Sequence, residues 1–260
     1  MNIGLVGNGG REHALAMALL KNPRRDKLFV YGSHLNAGIE SLATDYFVGA
    51  LTDVAKITGY FLLSAVDLVV VGPEIPLIHG VADELRKRGI PTVGPSRKQA
   101  RLEGDKSFMR DLLQRKIGWG SPRWRLVNTI EDALSFIQEV KQIVLKPVGL
   151  TGGKGVKVMG IQMTTTDEAL FNIQCWLKRD GVVLLEERLI GEEFSRIAFV
   201  SDRGMVCMPV AQDFKYAFDD DQGNMTGGMG AYTTSNGTLP FLTPNDVAKA
   251  DQLMGEVVEA

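Results

Sequence analysis

The sequence of 260 residues contains little cysteine, little histidine and no long apolar run. Its two cysteines, Cys175 and Cys207, lie far apart along the chain, which is typical of a reducing cytosol and argues against a disulfide framework or a metal site. No apolar stretch approaches the ~20 residues that a membrane-spanning helix needs. The N-terminus becomes glycine-rich and charged after Val6, so no signal peptide is predicted. These features predict a cytoplasmic protein.

An excess of charge of one sign is also missing. The formal net charge is −2, which provides no general attraction to nucleic acid or to anionic membranes. Neither is therefore expected as a partner, and any phosphate site has to be local. The hydrophobic fraction of 45% and the charged fraction of 23% are typical of a folded globular protein. A chain of this length has room for two or three subdomains.

The first hundred residues alternate between strand and helix patterns. Short apolar runs predict strands, and amphipathic runs predict helices; the strands are 2–6, 27–31 and 67–72, and the helices are 11–22 and 79–89. This alternation predicts a doubly wound parallel sheet. Ligands bind beyond the carboxyl ends of such strands. Polar loops occupy those places at 7–13, 32–38 and 72–77.

The rest of the chain has a different pattern. A connecting helix is predicted at 102–116, and an α+β unit follows it, with strands at 124–127, 143–147, 157–160 and 182–187 and helices at 131–140 and 165–177. Thr129 and Thr166 are the predicted N-caps of these two helices. From Gly191 onward strands and loops are expected, including the polar, glycine-rich segment 213–232. A last helix is predicted to begin with Thr243 as its cap and Pro244 in its first turn.

A glycine-rich turn at 149–155 carries one lysine and follows another. Lys146 ends an apolar run, and Lys154 lies among glycines. The spacing is not that of a P-loop, because three residues separate the first glycine from the GK pair and Gly155 stands where Ser or Thr should hold magnesium. A strand is expected on each side. We therefore predict a flap between antiparallel strands that binds an anion through backbone N–H groups and lysine.

A second glycine turn, GLVGNGGREHAL, joins the first strand to the first helix. A dinucleotide fingerprint requires glycine at position 12 and finds Glu12, and no acid follows about 20 residues later, which disfavours a nicotinamide cofactor. The helix N-terminus with Arg11 beside it suits a phosphate or a carboxylate. The alternative is a tight turn without a ligand. His13 is either a helix-face residue or a ligand contact.

Two further stretches place carboxylates after buried strands. Glu74 lies between Pro73 and Pro76, where a stiff loop would aim its carboxylate at ribose hydroxyls or an amine; the alternative is a rigid surface turn. In VLLEERLIGEEF, a strand edge can offer one N–H and one C=O to adenine, and Glu193, six residues after Glu187, can reach a ribose. The alternative there is a solvated charged turn.

Taken together, these segments resemble a known family. The order found in ATP-grasp ligases is that of EGDKSF, VLKP, GLTGGKGV, EERLIGEEF, QDFKY and NMTGGMGAY. The phosphoribosylamine–glycine ligase family is resembled more narrowly, over essentially all 260 residues, by GNGGREHAL, LNAG, VVVGPEIPLIHGVAD, LEGDKSFMRDLL, KPVGLTGGKGV and TGGMGAY. The resemblance implies an N-terminal substrate-binding α/β domain (1–100), a connecting helix (101–120), an ATP-grasp lid subdomain (121–190) and the start of a second, incomplete ATP-grasp subdomain (191–260).

The resemblance also implies the residues of the site. ATP would be held by Lys106, Lys146, Gly152, Gly153 and Lys154 at its phosphates, by Glu187, Arg188 and Leu189 at the adenine, and by Glu193 at the ribose. Phosphoribosylamine and glycine would be surrounded by Asn8, Gly9, Gly10, Arg11, Glu12, His13, Asn36, Gly38, Pro73 and Glu74, together with Asp213, Lys215, Thr226, Gly227 and Gly228.

The implied reaction joins glycine to 5-phosphoribosylamine in de novo purine biosynthesis. ATP phosphorylates glycine, and the amine attacks the resulting glycyl phosphate, giving glycinamide ribonucleotide, ADP and phosphate. Family members use Mg²⁺ (or Mn²⁺), held by a later strand that nothing in this sequence matches, so no metal ligand is assigned here. Phe214 and Tyr216 stand where the family commonly has His and Arg. The alternatives are a truncated, non-catalytic nucleotide- or substrate-binding relative, or one subunit of a split ligase completed by a second chain or segment.

Overall fold

The structure, a computed structural model, describes residues 1–21, 26–148, 155–220 and 222–260. The chain divides into two compact units, Met1–Gly104 and Asp105–Ala260. Each unit has its own hydrophobic core. None of the helices in the described ranges is long and apolar enough to cross a membrane.

The first unit is a five-stranded sheet with helices on both faces. Its elements are β1 (Asn2–Val6), α1 (Gly10–Leu20), β2 (Lys27–Gly32), α2 (Ala37–Glu40), β3 (Asp45–Val48), α3 (Val54–Leu63), β4 (Leu68–Val71), α4 (Glu74–Ile78), α5 (Val81–Lys87), β5 (Thr92–Val93) and α6 (Arg101–Gly104). The strand order is β3-β2-β1-β4-β5, and every pair is parallel. The predicted doubly wound sheet is confirmed.

Both faces of this sheet are buried, which explains why its strands are apolar without alternation. On one face Val6 packs in a cluster with Phe61 of α3 and Leu85 of α5. On the other face the neighbouring Leu5 packs in a cluster with Ala16 of α1 and Ile39 of α2. The prediction of β1, β2 and β4 is confirmed. The sequence reading missed β3 and β5, which are edge strands of four and two residues with little burial.

The segment that follows β4 differs from the predicted loop. Glu74 begins the five-residue helix α4, with Pro73 at its N-cap position. Pro76 lies within this helix and is buried. A proline is tolerated there because the first-turn N–H groups of a helix have no partner within the helix. The prolines therefore start a helix rather than stiffen a loop.

The second unit begins with a helical connection and a four-stranded antiparallel sheet. Its first elements are α7 (Lys106–Leu112), a π-helical segment (Leu113–Ile117), β6 (Trp124–Val127), α8 (Ile130–Val140), β7 (Ile143–Lys146), β8 (Lys157–Val158), α9 (Thr166–Asp180) and β9 (Val183–Glu187). The strand order is β6-β9-β7-β8. Apart from the connecting helix, these helices and strands were predicted, and the sheet confirms the α+β expectation.

The register of this sheet decides which side chains share a face. Leu145 and Leu185 pair directly and pack with Phe136 of α8 and Ile173 of α9. Because side chains alternate along a strand, Lys146 and Glu186 lie on the opposite face, away from the two helices.

Two local predictions in this unit are wrong in detail. The N-cap of α9 is Thr165 and not Thr166, since the Thr165 side chain accepts from Glu168 N at 3.2 Å. The predicted continuous helix 102–116 breaks at Asp105, whose side chain accepts from Phe108 N at 3.0 Å and caps α7. An aspartate competes in this way with helix continuation. Thr129 is the N-cap of α8, as predicted.

The remaining elements are two hairpins and a helix: β10 (Ala198–Ser201), β11 (Gly204–Cys207), β12 (Gln212–Phe218), β13 (Gln222–Tyr232) and α10 (Pro244–Glu259). The glycine-rich segment 213–232, which carries no strand pattern, forms most of the β12–β13 hairpin, with register shifts on both sides of Tyr216. Glycine is common where a ladder is irregular. The predicted start of the last helix, with Thr243 as cap and Pro244 after it, is confirmed.

The cap of α9 provides a matched pair of substitutions. Thr165→Ala removes the side-chain acceptor and is expected to lower the free energy of unfolding by about 1 kcal/mol. Thr166→Ala, one residue later in the first turn, is expected to change it by less than about 0.5 kcal/mol. Denaturant unfolding of both variants checks this expectation, and a larger loss for Thr166→Ala contradicts the assigned cap.

Candidate functional site

In the first unit, three of the predicted loops meet at the carboxyl ends of the strands. Asn8 follows β1 and is buried, and its Oδ1 accepts from Ser33 N at 3.0 Å. Its Nδ2 lies 2.8 Å from a ring nitrogen of His34. Asn36 Nδ2 donates to the carbonyl of Asn8 at 2.9 Å. These contacts bring the loops after β1 and β2 together, and they add His34, which the sequence reading did not single out.

Glu12 lies beneath this cluster. It is only 4% exposed, its Oε2 accepts from Gly9 N at 2.7 Å, and its Oε1 accepts from Arg11 Nε at 3.0 Å. A Cβ at Gly7 would come within 2.6 Å of the Glu12 side chain, and a Cβ at Gly72 would overlap its carboxylate. Glu12 therefore occupies the position where a dinucleotide fingerprint has its third glycine. Its buried carboxylate accepts a hydrogen bond from Gly9 N at the start of α1, so this amide is already paired. The direct contact of Glu12 with a substrate stays a prediction.

Arg11 connects this loop to the one after β4. Its Nη1 donates to Glu74 Oε1 at 3.1 Å. Burial raises the pKa of Glu74, but the Arg11 hydrogen bond, a backbone hydrogen bond and the Arg11 charge together outweigh burial and hold the pKa below its ordinary value. Both side chains are substantially exposed, so the pair itself contributes about 0–1 kcal/mol. The guanidinium is therefore held in place and still open to solvent.

The other predicted residues of this cluster are arranged around the same loops. His13 packs directly against Gly38, where any Cβ would overlap the imidazole ring. Asn36 Oδ1 accepts from Gly38 N at 3.0 Å, which fixes the start of α2. The exposed Gly10 begins α1. Loops 8–13, 36–38 and 73–74 thus form one polar, partly cationic edge of the sheet.

In the second unit, Lys146 forms an ion pair that the sequence reading missed. Lys146 Nζ lies 2.7 Å from Glu186 Oε2. Arg110 of α7 contacts both oxygens of the same carboxylate, Nε to Oε1 at 2.7 Å and Nη2 to Oε2 at 3.1 Å. The Glu186 side chain is 4% exposed, against 22% for Arg110 and 24% for Lys146. One buried carboxylate therefore holds two cations on the sheet face opposite α8 and α9.

The charge of Glu186 is maintained by these partners. Burial raises the pKa of this carboxyl, and the Arg110 hydrogen bond with the charges of Lys146 and Arg110 lowers it further than burial raises it, so that it lies below its ordinary value. With two cations and one anion, the group carries one surplus positive charge.

The other residues predicted to contact the phosphates lie close to Arg110 or to Lys146 along the sequence. Lys106 begins α7, four residues before Arg110 and on the same side of the helix. β7 and β8 pair antiparallel on either side of the glycine turn, as expected for a flap. The predicted flap residues Gly152, Gly153 and Lys154 lie outside the described residues.

The predicted adenine hinge continues from the end of β9. Glu187 accepts from Arg123 N at 2.8 Å and from Arg123 Nε at 2.8 Å, which lowers its pKa. The backbone N–H groups of Glu187 and Arg188 donate to the carbonyls of Arg123 and Gln142. Because these two N–H groups already have partners, the backbone N–H of the exposed Leu189 is the hinge group that could donate to adenine. The adenine role of this hinge stays a prediction.

Glu193 pairs with one of the predicted substrate residues, which in turn lies near a second. Lys215 Nζ forms an ion pair with the Glu193 carboxylate and lies 3.8 Å from Asp213 Oδ1. Burial lowers the pKa of Lys215, but the hydrogen bonds and charges of Glu193 and Asp213 together outweigh burial and raise the pKa above its ordinary value. The partner strand β13 carries Thr226, Gly227 and Gly228, where Thr226 Oγ1 accepts from Gly228 N at 3.1 Å.

Glu186 gives a pH-dependent stability prediction. Its folded pKa is below the unfolded value of ~4.3, so its stabilisation is complete above that pH and is lost as the pH falls through the folded pKa. Glu186→Gln leaves Arg110 and Lys146 without their anion and is expected to lower the free energy of unfolding by on the order of 3 kcal/mol at pH 7. The difference from wild type should shrink below about pH 4.

Denaturant unfolding at several pH values measures this difference. Glu259→Gln, at an exposed position of α10, is the control and is expected to have little effect at any pH. A Glu186→Gln loss that stays constant from pH 7 to pH 3 contradicts the charged pair.

The buried position of Glu12 gives a second stability prediction. Gly72→Ala places a Cβ against its carboxylate and is expected to destabilise the first unit by about 1–3 kcal/mol. Gly59→Ala in α3, where nothing lies within 4 Å of the new Cβ, is the matched control and is expected to be neutral or to stabilise by about 0.5–1 kcal/mol. Equal unfolding midpoints for the two variants would contradict the placement of Glu12.

Comparison with known proteins matches both units. Residues 1–103 match the N domain of phosphoribosylglycinamide synthetase, and residues 104–260 match its ATP-grasp (A) domain. The phosphoribosylamine–glycine ligase of Thermococcus gammatolerans is 42% identical over 261 aligned residues, and that of Methanocorpusculum labreanum is 44% identical over 261. Each alignment covers the whole of this chain and 59% or 60% of the relative. The chain thus spans about three-fifths of the length of these curated relatives.

Solved structures agree with the fold. The Thermotoga maritima phosphoribosylamine–glycine ligase superposes with a TM-score of 0.74 at 27% identity, covering 99% of this chain and 60% of that one. The Staphylococcus aureus N5-carboxyaminoimidazole synthetase, solved with ADP, has the same fold with a TM-score of 0.75 at 13% identity, covering 99% and 62%. With both domain matches spanning its full length, the chain belongs to the phosphoribosylglycinamide synthetase family, and its second unit is an ATP-grasp domain.

Proposed function

We propose that this chain provides the substrate-binding and ATP-binding parts of an ATP-dependent carbon–nitrogen ligase that joins glycine to 5-phosphoribosylamine. The observation that carries the proposal is the group formed by Arg110, Lys146 and Glu186, which places surplus positive charge on the sheet face opposite α8 and α9. Membership of the family supports the choice of reaction. The product would be glycinamide ribonucleotide, an intermediate of de novo purine biosynthesis, formed in the cytoplasm.

Lys146 is proposed to meet the phosphates of ATP, with Lys106 and the flap residues Gly152, Gly153 and Lys154 as further contacts. A lysine about 4 Å from a phosphate oxygen gains on the order of 4 kcal/mol in a partly dry site, against ~0–1 for an exposed pair. The Lys146 side chain is 24% exposed, which is intermediate between these limits and leaves its ammonium reachable. Glu187 to Leu189 and Glu193 are proposed for the adenosine.

The chemistry needs activation of glycine, because a carboxylate is a poor electrophile. Transfer of the γ-phosphoryl group to the glycine carboxylate gives an acyl phosphate, whose carbonyl the amine of phosphoribosylamine attacks, releasing phosphate. The chain acts mainly by positioning and by neutralising charge. Arg11, held by Glu74 and open to solvent, is proposed to bind an anionic group of the substrates at the edge of the first sheet.

ATP with Mg²⁺ (or Mn²⁺) is the proposed cofactor set. Within the part of the chain that the structure describes, no three His, Cys, Asp or Glu side chains cluster as a metal site.

One observation favours the second candidate, a subunit or piece that is completed by further polypeptide. Phe199 pairs with Val206, and Met208 N donates to Ile197 O, so these four apolar side chains share one face of the β10–β11 hairpin. All four are exposed, by 42% to 70%. The opposite face instead carries Arg196, bound to Asp251 of α10.

A two-stranded sheet with one uncovered apolar face is marginal by itself. About 40% of the length of the curated relatives lies outside the part that this chain spans. We propose that polypeptide corresponding to that part covers the hairpin face. Ligase activity, followed as ADP formation that requires both glycine and phosphoribosylamine, decides between the two candidates. Activity of the 260-residue chain alone supports the first. Activity only after the unmatched part of the Thermococcus gammatolerans ligase is added supports the second.

Lys146→Ala tests the nucleotide site directly. We expect it to weaken the binding of ATP with magnesium at least tenfold, or ~1.4 kcal/mol, while leaving the fold intact, because Arg110 still compensates Glu186 after the change. Calorimetric titration of wild type and variant measures the effect. Lys178→Ala, at an exposed position in the last turn of α9, is the control and should bind like wild type. Equal affinity of Lys146→Ala and wild type would refute the assignment.

A further inference from the structure

Arg110 is the second and more extensive partner of Glu186. It reaches the carboxylate from α7, whereas Lys146 reaches it from the neighbouring strand β7. Among the contacts described for this carboxylate, two come from Arg110 and one from Lys146. The guanidinium uses Nε and Nη2, the paired geometry that matches a carboxylate best. The resemblance to ligases assigns Arg110 no role.

The contact between Arg110 and Glu186 matters for the proposed binding of ATP by Lys146. If Lys146 turns to a phosphate oxygen, Glu186 loses one cation although its side chain remains only 4% exposed. A buried carboxylate without a partner is strongly disfavoured. A lysine paired with that acid alone would therefore be held back from the nucleotide. The acid and the lysine would form a neutral pair with no charge left to attract an anion.

We propose that Arg110 is a positioning residue that keeps Glu186 compensated, so that Lys146 can leave the carboxylate for the phosphates of ATP. The inference rests on the proposed ATP site. Arg110 acts through Glu186. Its positive charge makes the group of Arg110, Lys146 and Glu186 cationic, whereas Lys146 and Glu186 alone would be neutral. The exchange breaks the described Lys146 contact and leaves the two-point Arg110 contact in place.

The same contact fixes α7. Lys106 begins this helix one turn before Arg110, so a clamp from Arg110 to β9 also sets the position of the helix that carries the second predicted phosphate lysine. A lysine at position 110 would keep the charge but lose the planar two-point contact, since its ammonium is a point charge on a flexible stem. The charge effect and the geometric effect can therefore be separated.

The experiment is a calorimetric titration of ATP with magnesium, and of adenosine, into wild type and variants of the full chain. Arg110→Met is expected to weaken ATP binding about tenfold, or ~1.4 kcal/mol, with adenosine binding unchanged because adenosine has no phosphate for Lys146. Arg110→Lys should be intermediate. The double variant Arg110→Met with Glu186→Gln should recover ATP affinity relative to Arg110→Met, because the acid that retains Lys146 is gone.

Arg115→Met is the matched control, because Arg115 follows in the π-helical segment and pairs only with the exposed Asp111 among the contacts described for it; it should bind ATP like wild type. Thermal unfolding of each variant checks the fold, and Arg110→Lys carries the test if Arg110→Met does not fold. Wild-type affinity in Arg110→Met, or in Arg110→Lys in that case, overturns the inference alone. So does a double variant no better than Arg110→Met, which would mean that Arg110 contacts ATP itself. A wild type that binds adenosine but not ATP overturns the proposed phosphate site, and the inference with it.

Discussion

The compensation of one buried carboxylate, Glu186, is the interaction on which the organisation of the second unit depends. It lies at the end of β9 on the sheet face opposite α8 and α9, and it draws together α7 through Arg110 and β7 through Lys146. A charge this deeply buried is tolerated only with well-placed partners. The position of the predicted ATP lysine therefore follows from the fold as well as from its chemistry.

The polar site of the first unit is also organised by a buried carboxylate. Glu12 is buried under the loops after β1 and β4, where it fixes the Gly9 amide and the Arg11 side chain. In both units a buried acid positions an arginine or lysine that remains partly exposed. The buried carboxylate is fixed by the fold, while its partly exposed cationic partner stays available to a ligand.

Much of this could be predicted from the sequence. Apolar runs such as 2–6 and 183–187 define buried strands, and Thr129 and Thr243 define helix starts through local hydrogen bonds. The hairpin at 212–232 could not, because glycine-rich, polar strands carry no alternation of apolar residues. The pairing of Arg110 with Glu186 could not be predicted either, because the two residues are 76 positions apart in the sequence and their contact depends on strand register. Two adjacent acids at 186 and 187 suggest a solvated turn, and only the sheet shows that the first is buried.

The most direct test of the central claim is a crystal structure of this chain with a non-hydrolysable ATP analogue. The account predicts that Lys146 Nζ contacts a phosphate oxygen while Arg110 keeps both contacts to Glu186. A complex in which the phosphates lie elsewhere and Lys146 still holds Glu186 would contradict it, as would one in which Arg110 leaves the carboxylate to bind the nucleotide.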